Sequence, residues 1–179
     1  MSKNVKTIVF CAACIALATI TSMIKIFHFP TGGSITLCSS LFAILPGFFF
    51  GPVTGIITGV AYGLLQLIVD PYILTPVQAF IDYILAFGAL GVSGFFSNKK
   101  NGLCYGYIAA CILRWFFAFL SGVLFFGEYA WAGWNPVPYS AVYNLICIGS
   151  EAILTLVVLQ VPAFINAFTT MKSSINTAH

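Results

Sequence analysis

The hydrophobic positions of the chain fall into six long apolar segments, separated by short stretches of polar and turn-forming residues. The segments run over roughly 5–27, 34–50, 53–70, 77–96, 102–126 and 139–167. Each approaches or exceeds the ~20 residues that an α-helix needs to cross ~30 Å of hydrocarbon. Turn-forming sequences such as HFPTGG at 28–33 and DPYILTP at 70–76 mark the joints. The pattern predicts an all-α integral membrane protein with six transmembrane helices in a bundle, forming one membrane domain over 1–179.

Composition supports the membrane class. Of 179 residues, 60% are hydrophobic and only 6% are charged, whereas a soluble domain carries about 25% charged residues. The N-terminus has Lys3 and Lys6 but no small-residue cleavage site after a short apolar run. We therefore expect the first segment to be a membrane span and not a removable signal peptide.

The lysines predict the orientation of the bundle. Five of them fall on one side of a six-span arrangement: Lys3, Lys6, Lys99, Lys100 and Lys172. The positive-inside rule makes that side cytoplasmic, so both termini are expected inside and the loops 28–33, 70–76 and 127–138 outside. Lys25, near the outer end of the first span, is the exception. The net charge of +3 is thus a topology signal and gives no reason to expect nucleic acid as a partner.

Asp82 lies in the middle of an apolar stretch, where an acid costs about 2.5–3.5 kcal/mol on insertion scales. It falls about five residues inside the outer end of its span, roughly 8 Å deep at helical rise. Ser121 and Asn144 fall at a similar depth in the fifth and sixth spans. The loops above that level are rich in aromatic residues, namely Tyr72, Tyr129, Trp131, Trp134 and Tyr139. The arrangement predicts an aromatic-walled cavity with one acid, open to the outside, for a small, flat, cationic or donor-rich molecule.

Two alternatives remain open for these residues. Trp and Tyr also concentrate at the headgroup level of any membrane protein. Asp82 could instead make a helix–helix hydrogen bond to a neighbouring Tyr or Asn.

Arg114 and Glu151 are predicted to meet near the middle of the bilayer. Each lies about 12 residues from an end of its span, on antiparallel neighbouring helices, which places both at a depth of ~18 Å. A mutual ion pair facing the bundle interior is the economical interpretation, because neither charge can face lipid. A proton-relay role is the alternative.

Other motifs carry less chemistry. The six cysteines all fall within predicted spans, and Cys11 and Cys14 lack a second metal-ligand pair. No phosphate-binding glycine loop or nucleophile–base motif is visible, so we expect neither an enzyme nor an ATP site in this chain, and no cofactor. Small residues recur at Ala12 and Ala16, and at Gly55, Gly59 and Gly63, where helices can approach closely. For the glycines we expect internal packing, whereas the alanines could equally face another subunit.

Several stretches of the sequence resemble the thiamine-specific S-components of energy-coupling factor (ECF) vitamin transporters. They are TGGSITL at 31–37, YILTPVQAFIDY at 72–83, FGALGVSGFF at 87–96 and the run from 113 to 144. The combination YAWxGW followed by YSxxxN, at 129–134 and 139–144, is the most specific part. The resemblance covers nearly the whole chain and implies a six-helix, multi-pass protein of the bacterial cell membrane.

The resemblance also implies roles for individual residues. The acid of the family's ligand site falls on Asp82, and Tyr83 follows it as in the family. The remaining ligand-site positions fall on Tyr72, Phe126, Trp131, Tyr139 and Asn144. The motif with which S-components dock on their transmembrane coupling subunit falls on Ala12 and Ala16. Two cytoplasmic ATPases would complete the implied transporter, and the implied ligand is thiamine.

Two positions depart from the family pattern. Ala118 stands where the family usually has a ligand-contacting His, and Glu151 replaces what looks like a small residue. The first departure leaves open a related ligand, such as hydroxymethylpyrimidine or a vitamin B6 compound. The competing class is a self-sufficient proton-coupled carrier that uses Arg114 and Glu151.

Overall fold

The structure, a computed structural model, describes residues 3–29 and 32–177. Its elements in chain order are α1 (Lys3–Met23), β1 (Lys25–His28), β2 (Ser34–Thr36), α2 (Ser39–Phe50), α3 (Pro52–Val69), α4 (Pro76–Phe96), α5 (Gly102–Phe125), α6 (Pro136–Leu159) and α7 (Pro162–Thr177). Helices α1, α3, α4, α5 and α6 are long and apolar enough to cross a membrane. The predicted α-helical membrane class is confirmed, and among the described residues five helices meet the length for a span.

The second predicted span is shorter than expected. Helix α2 has 12 residues, about 18 Å at helical rise, against ~30 Å of hydrocarbon. Ten of its residues, including Pro46, are buried. It packs chiefly against α1, α3 and the C-terminal half of α4. An apolar helix enclosed by other helices is a core element, and its composition follows from that burial.

The predicted spans 5–27 and 34–50 were too long at the ends that face each other. Helix α1 ends at Met23, and β1 and β2 pair as an antiparallel hairpin before α2 begins at Ser39. Isoleucine, phenylalanine and threonine suit a strand as well as a span, so hydrophobicity alone did not separate the two. Gly32, at φ +90°, supplies the left-handed conformation that the turn requires. Pro30 and Thr31, within the predicted turn at 28–33, lie outside the described residues.

The predicted span 139–167 is divided into two helices. Helix α6 begins at Pro136 and ends at Leu159, and α7 begins at Pro162. Proline lacks an amide hydrogen and its ring clashes with the carbonyl four residues earlier, so it starts a new helix more easily than it continues one. In α7, Lys172 donates a hydrogen bond to the carbonyl of Ser97 and lies over the ring of Phe48.

Glycines let α3 and α4 approach each other closely. A Cβ placed on Gly59 would lie 2.4 Å from the carbonyl oxygen of Phe87. On Gly63 it would lie even closer to the carbonyl oxygen of Tyr83, at 1.7 Å. Because both obstacles are backbone atoms, neither can rotate away. The stripe predicted from sequence is therefore internal packing, and it fixes α4 and the Asp82 that this helix carries.

Gly63→Ala is accordingly expected to lower the melting temperature in detergent by about 2–12 °C. Overpacking a tight contact costs about 1–3 kcal/mol, and a protein of this size loses about 2–4 °C for each kcal/mol. Gly149→Ala is the matched control, because its added methyl would meet only Leu145 of the same helix, at 3.5 Å. Equal melting temperatures for the two variants would contradict the close contact between α3 and α4.

Candidate ligand-binding site

A cavity of about 360 Å³ lies at the end of the bundle where the β1–β2 hairpin, the 70–75 connection and the start of α6 come together. Its walls come from the hairpin, α3, α4, α5 and α6, and its lining includes Asp82, Arg114 and Glu151. Pockets of ~300–1,000 Å³ are the usual size for small-molecule sites. Asp82 was predicted to belong to a ligand site, and Arg114 and Glu151 to a separate ion pair. All three residues line the same cavity.

Asp82 lies in an irregular part of α4. Residues Phe80–Leu85 form a π-helical segment, a rare form that is frequent at functional sites. The carboxylate accepts a hydrogen bond from Nε2 of Gln78, one turn earlier. Ser121 of α5 lies beside the same carboxylate, but its buried hydroxyl makes no hydrogen bond of 3.5 Å or less to the described residues. The acid therefore keeps capacity to accept from a ligand.

Gln78 connects the acid to the rim of the cavity. Its Nε2 also donates to the carbonyl of Tyr72, at 3.2 Å, and its Oε1 accepts from the backbone of Leu74, at 3.0 Å. Tyr83 supports the same connection, because its hydroxyl accepts from the amide of Tyr72, at 2.8 Å, and donates to the carbonyl of Asp70, at 3.1 Å. The connection that carries Tyr72 is thereby fixed against α4.

Four of the predicted aromatic residues line the cavity directly. They are Tyr72, Tyr83, Phe126 and Tyr139. The rings of Tyr72 and Phe126 stack with centroids 5.8 Å apart. The hydrogen bond that joins the Tyr72 hydroxyl to Tyr129 raises the pKa of Tyr72. The Tyr72 phenol is therefore neutral at physiological pH and adds no charge to the rim.

Trp131 does not line the cavity. Its side chain is 41% exposed and packs edge-on against Tyr139, with ring centroids 5.2 Å apart. Trp134 packs against Trp131 in turn, at 5.1 Å. The contact that the sequence predicts between Trp131 and a ligand stays a prediction. In the structure the indole packs against the buried ring of Tyr139 and so limits where that ring can lie.

Asn144 and Ala118 lie on the facing helices α6 and α5, and both line the cavity. The Nδ2 group of Asn144 donates to the carbonyls of Ala118, at 3.2 Å, and Ser140, at 3.0 Å. Asn144 thus joins the two helices in the cavity wall that also contains Asp82. The position where a His was expected holds only the methyl group of Ala118.

Arg114 and Glu151 both line the cavity, but the predicted direct ion pair is wrong for the described residues. Arg114 Nη1 donates to Oγ of Ser40, at 2.7 Å. Glu151 Oε1 accepts from the amide of Ser40, at 2.9 Å, and from Oγ of Ser39, at 3.0 Å. The two charges are therefore bridged by the first residues of α2. The guanidinium also lies over the ring of Phe87, 4.6 Å from its centroid.

The hairpin supplies lining residues that sequence reasoning missed. His28, Gly33 and Thr36 contribute to the cavity, together with Tyr143 of α6. The hydroxyl of Tyr143 accepts from the amide of Gly33, at 2.9 Å, and Lys25 Nζ lies 2.7 Å from Oδ2 of Asp70. Helical spacing could have found two of the missed residues, because Gln78 lies four residues before Asp82 and Tyr143 four after Tyr139. No comparable signal marked the hairpin.

Comparison with known proteins gives one consistent family. The family model described as "Thiamine transporter protein (Thia_YuaJ)" matches residues 8–170. The thiamine transporter ThiT of Bacillus subtilis (strain 168) is 31% identical over 162 residues, which cover 83% of each chain. A thiamine transporter ThiT of Lacticaseibacillus paracasei is 30% identical over 120 residues, or 58% of this chain and 60% of the relative.

A solved structure of ThiT from Listeria monocytogenes shares the fold, with a TM-score of 0.72 and 25% sequence identity. The match covers 98% of this chain and 96% of that one. The resemblance seen in the sequence is thus confirmed over nearly the whole length. The family model, the sequence relatives, the shared fold and the apolar helices all lead to the same conclusion. This chain is a multi-pass bacterial membrane protein that belongs to the thiamine transporter family.

Proposed function

We propose that this chain is the thiamine-binding S-component of an ECF transporter. The observation that carries the proposal is the 360 Å³ cavity, which places the Asp82 carboxylate among the rings of Tyr72, Phe126 and Tyr139. Thiamine has a positively charged thiazolium ring and an aminopyrimidine ring, both flat. Aromatic faces attract cations, and an acid in a poorly hydrated site attracts them more strongly. The thiamine transporters among its relatives support the same ligand.

Each lining group has a defined role in this proposal. Asp82 balances the charge of the ligand or accepts from its amino group, and Gln78 holds the carboxylate in place. Tyr139 and the stacked pair Tyr72 and Phe126 cover the ring faces. The carboxamide of Asn144 hydrogen-bonds the pyrimidine ring. The hydroxyl of Tyr83 holds the 70–75 connection in place by accepting a hydrogen bond from the amide of Tyr72. Trp131 contributes by holding the Tyr139 ring.

Titration calorimetry with three ligands tests the proposal. Thiamine should bind more tightly than hydroxymethylpyrimidine or pyridoxine. Among the three ligands, thiamine alone has both an amino-bearing ring and a permanent positive charge that Asp82 can balance. Tighter binding of either smaller ligand would reassign the substrate and would point to Ala118, which opens space in the cavity wall. Absence of thiamine binding by a folded protein would reject the function.

We further propose that the bundle crosses the membrane with six helices and with both termini in the cytoplasm. Helix α2 is included although it is short, because the helices that enclose it shield it from lipid. The lysine distribution supports this orientation. A membrane-impermeant thiol reagent should modify Gly133→Cys in intact cells and fail to modify Lys100→Cys. The unmodified parent chain is the control for its six native cysteines. The reverse labelling pattern would contradict the orientation and place the cavity on the cytoplasmic side.

Transport requires partners in this proposal: a transmembrane coupling subunit and two cytoplasmic ATPases. Ala12 and Ala16 support a docking surface, because both are exposed on α1 whereas Cys14 and Ala18 face the core. Vesicles that contain this chain without any ATPase should bind thiamine but not accumulate it. Accumulation driven by a proton gradient alone would favour the competing carrier mechanism through Arg114 and Glu151.

A further inference from the structure

The cavity contains one more acid than its arginine can balance. Asp82, Arg114 and Glu151 all line it, so two carboxylates face one guanidinium. At the rim, Asp70 is paired with Lys25, at 2.7 Å, and these two charges cancel. With both inner acids ionised, and leaving aside His28, which also lines the cavity, these side chains carry one net negative charge. A monocationic ligand would balance that charge.

Glu151 is a buried acid held by donors from the start of α2. Its side chain is only 3% exposed. Its Oε1 accepts from two donors, the Ser39 hydroxyl and the Ser40 amide, and a carboxylate can only accept. Burial of such a charge needs a functional reason, because a neutral side chain of similar shape would avoid the cost of desolvation.

Holding Arg114 in position does not supply that reason. The guanidinium is placed by the Ser40 hydroxyl, at 2.7 Å, and by the face of Phe87, at 4.6 Å from the ring centroid. In the described part of the chain, hydrogen bonds connect Glu151 to Arg114 through Ser40. A glutamine at position 151 could still accept from Ser39 and Ser40 through its side-chain oxygen. The feature that such a change removes is the charge.

We propose that Glu151 determines the charge class of the ligand, admitting a monocation and excluding phosphorylated forms of the same molecule. The inference rests on the proposed thiamine function and assigns to Glu151 a role in specificity. Glu151 lines the same cavity as Asp82, so its charge acts on a ligand held there. At an effective dielectric constant of about 20, one charge about 10 Å away changes affinity roughly 10-fold for each unit of ligand charge. Without Glu151, Asp82 and Arg114 would cancel and leave the cavity neutral.

The test uses three ligands that differ in charge: thiamine, its neutral isostere with a thiophene ring in place of the thiazolium, and thiamine monophosphate. Dissociation constants are measured by titration calorimetry or by displacement of labelled thiamine. Glu151→Gln should weaken thiamine binding roughly 10-fold, change binding of the neutral isostere less than about 3-fold, and strengthen monophosphate binding. Opposite shifts for a cation and an anion are the signature of charge. A loss that is equal for all three ligands would mean a structural role and would overturn the inference.

Two further variants separate net charge from local damage. Arg114→Gln together with Glu151→Gln restores one net negative charge through Asp82, so the preference for thiamine over the monophosphate should return toward that of the wild type. A double variant as unselective as Glu151→Gln would contradict the proposal. Glu128→Gln is the matched control, because this exposed acid lies outside the cavity lining, and it should leave all three constants unchanged. Wild-type protein that fails to bind thiamine would instead reject the proposed function itself.

Discussion

Asp82→Asn should weaken thiamine binding roughly 10- to 150-fold while the protein remains folded. The substitution keeps the shape of the side chain and removes its charge. A hydrogen bond to a charged group contributes about 1.5–3 kcal/mol, and 1.4 kcal/mol corresponds to a factor of ten in affinity. Gln78 can still pair with the asparagine side-chain oxygen, so the connection that carries Tyr72 should stay in place. The loss therefore isolates the electrostatic part of recognition.

Titration calorimetry on wild-type and variant protein measures this effect, with the melting temperature of each as the control for folding. Glu128→Gln again serves as a matched removal of one acid outside the cavity lining. Unchanged affinity together with a lower melting temperature would assign Asp82 to helix packing. The ligand's counter-charge would then have to be sought at Glu151.

Replacing both Ala12 and Ala16 with tryptophan should abolish thiamine uptake by cells and leave thiamine binding in detergent intact. The two alanines are exposed on one face of α1, one helical turn apart. Small residues at this spacing let a partner helix approach closely, and two indole rings would prevent that approach. The side chains of α1 that pack into the core, such as Cys14 and Ala18, lie on the opposite face and are untouched.

Uptake of labelled thiamine is measured in cells that also express the coupling subunit and ATPases, and binding is measured on the purified variant. Leu17→Trp is the control, because Leu17 is also exposed but lies about 140° around the helix from Ala12 and about 100° from Ala16. It should retain uptake. Normal uptake by the double variant, or equal loss in both proteins, would show that this stripe is not the docking surface.

Helical rise along the sequence predicts which residues share a level in the bundle, but not the direction of each side chain. Asp82 and Asn144 were predicted at one depth, and both line the cavity. Arg114 and Glu151 were also predicted at one depth, yet Ser40 lies between them. Rise per residue gives position along a helix, whereas contact also depends on rotation about its axis and on what a third helix inserts. Here the third helix is α2, whose Ser39 and Ser40 lie between the two charges. The apolar pattern of α2 does not predict that position.

The hairpin shows a second limit of the sequence. Residues 25–28 and 34–36 are rich in side chains that suit either a span or a strand, and the hydrophobic pattern merged them with α1 and α2. Pairing of two short strands depends on a turn and on contacts across the bundle, such as the bond from Gly33 to Tyr143. Those contacts are long-range in sequence. The packing of Trp131 on Tyr139 is likewise a contact within a loop region that the hydrophobic pattern could not predict.

A structure of the protein determined with thiamine bound tests the central claim most directly. The account predicts thiamine inside the cavity, with one ring against Tyr139 and with the thiazolium or the amino group within hydrogen-bond or ion-pair distance of the Asp82 carboxylate. Thiamine bound elsewhere, or inside the cavity with no charged or amino group near Asp82, would contradict it.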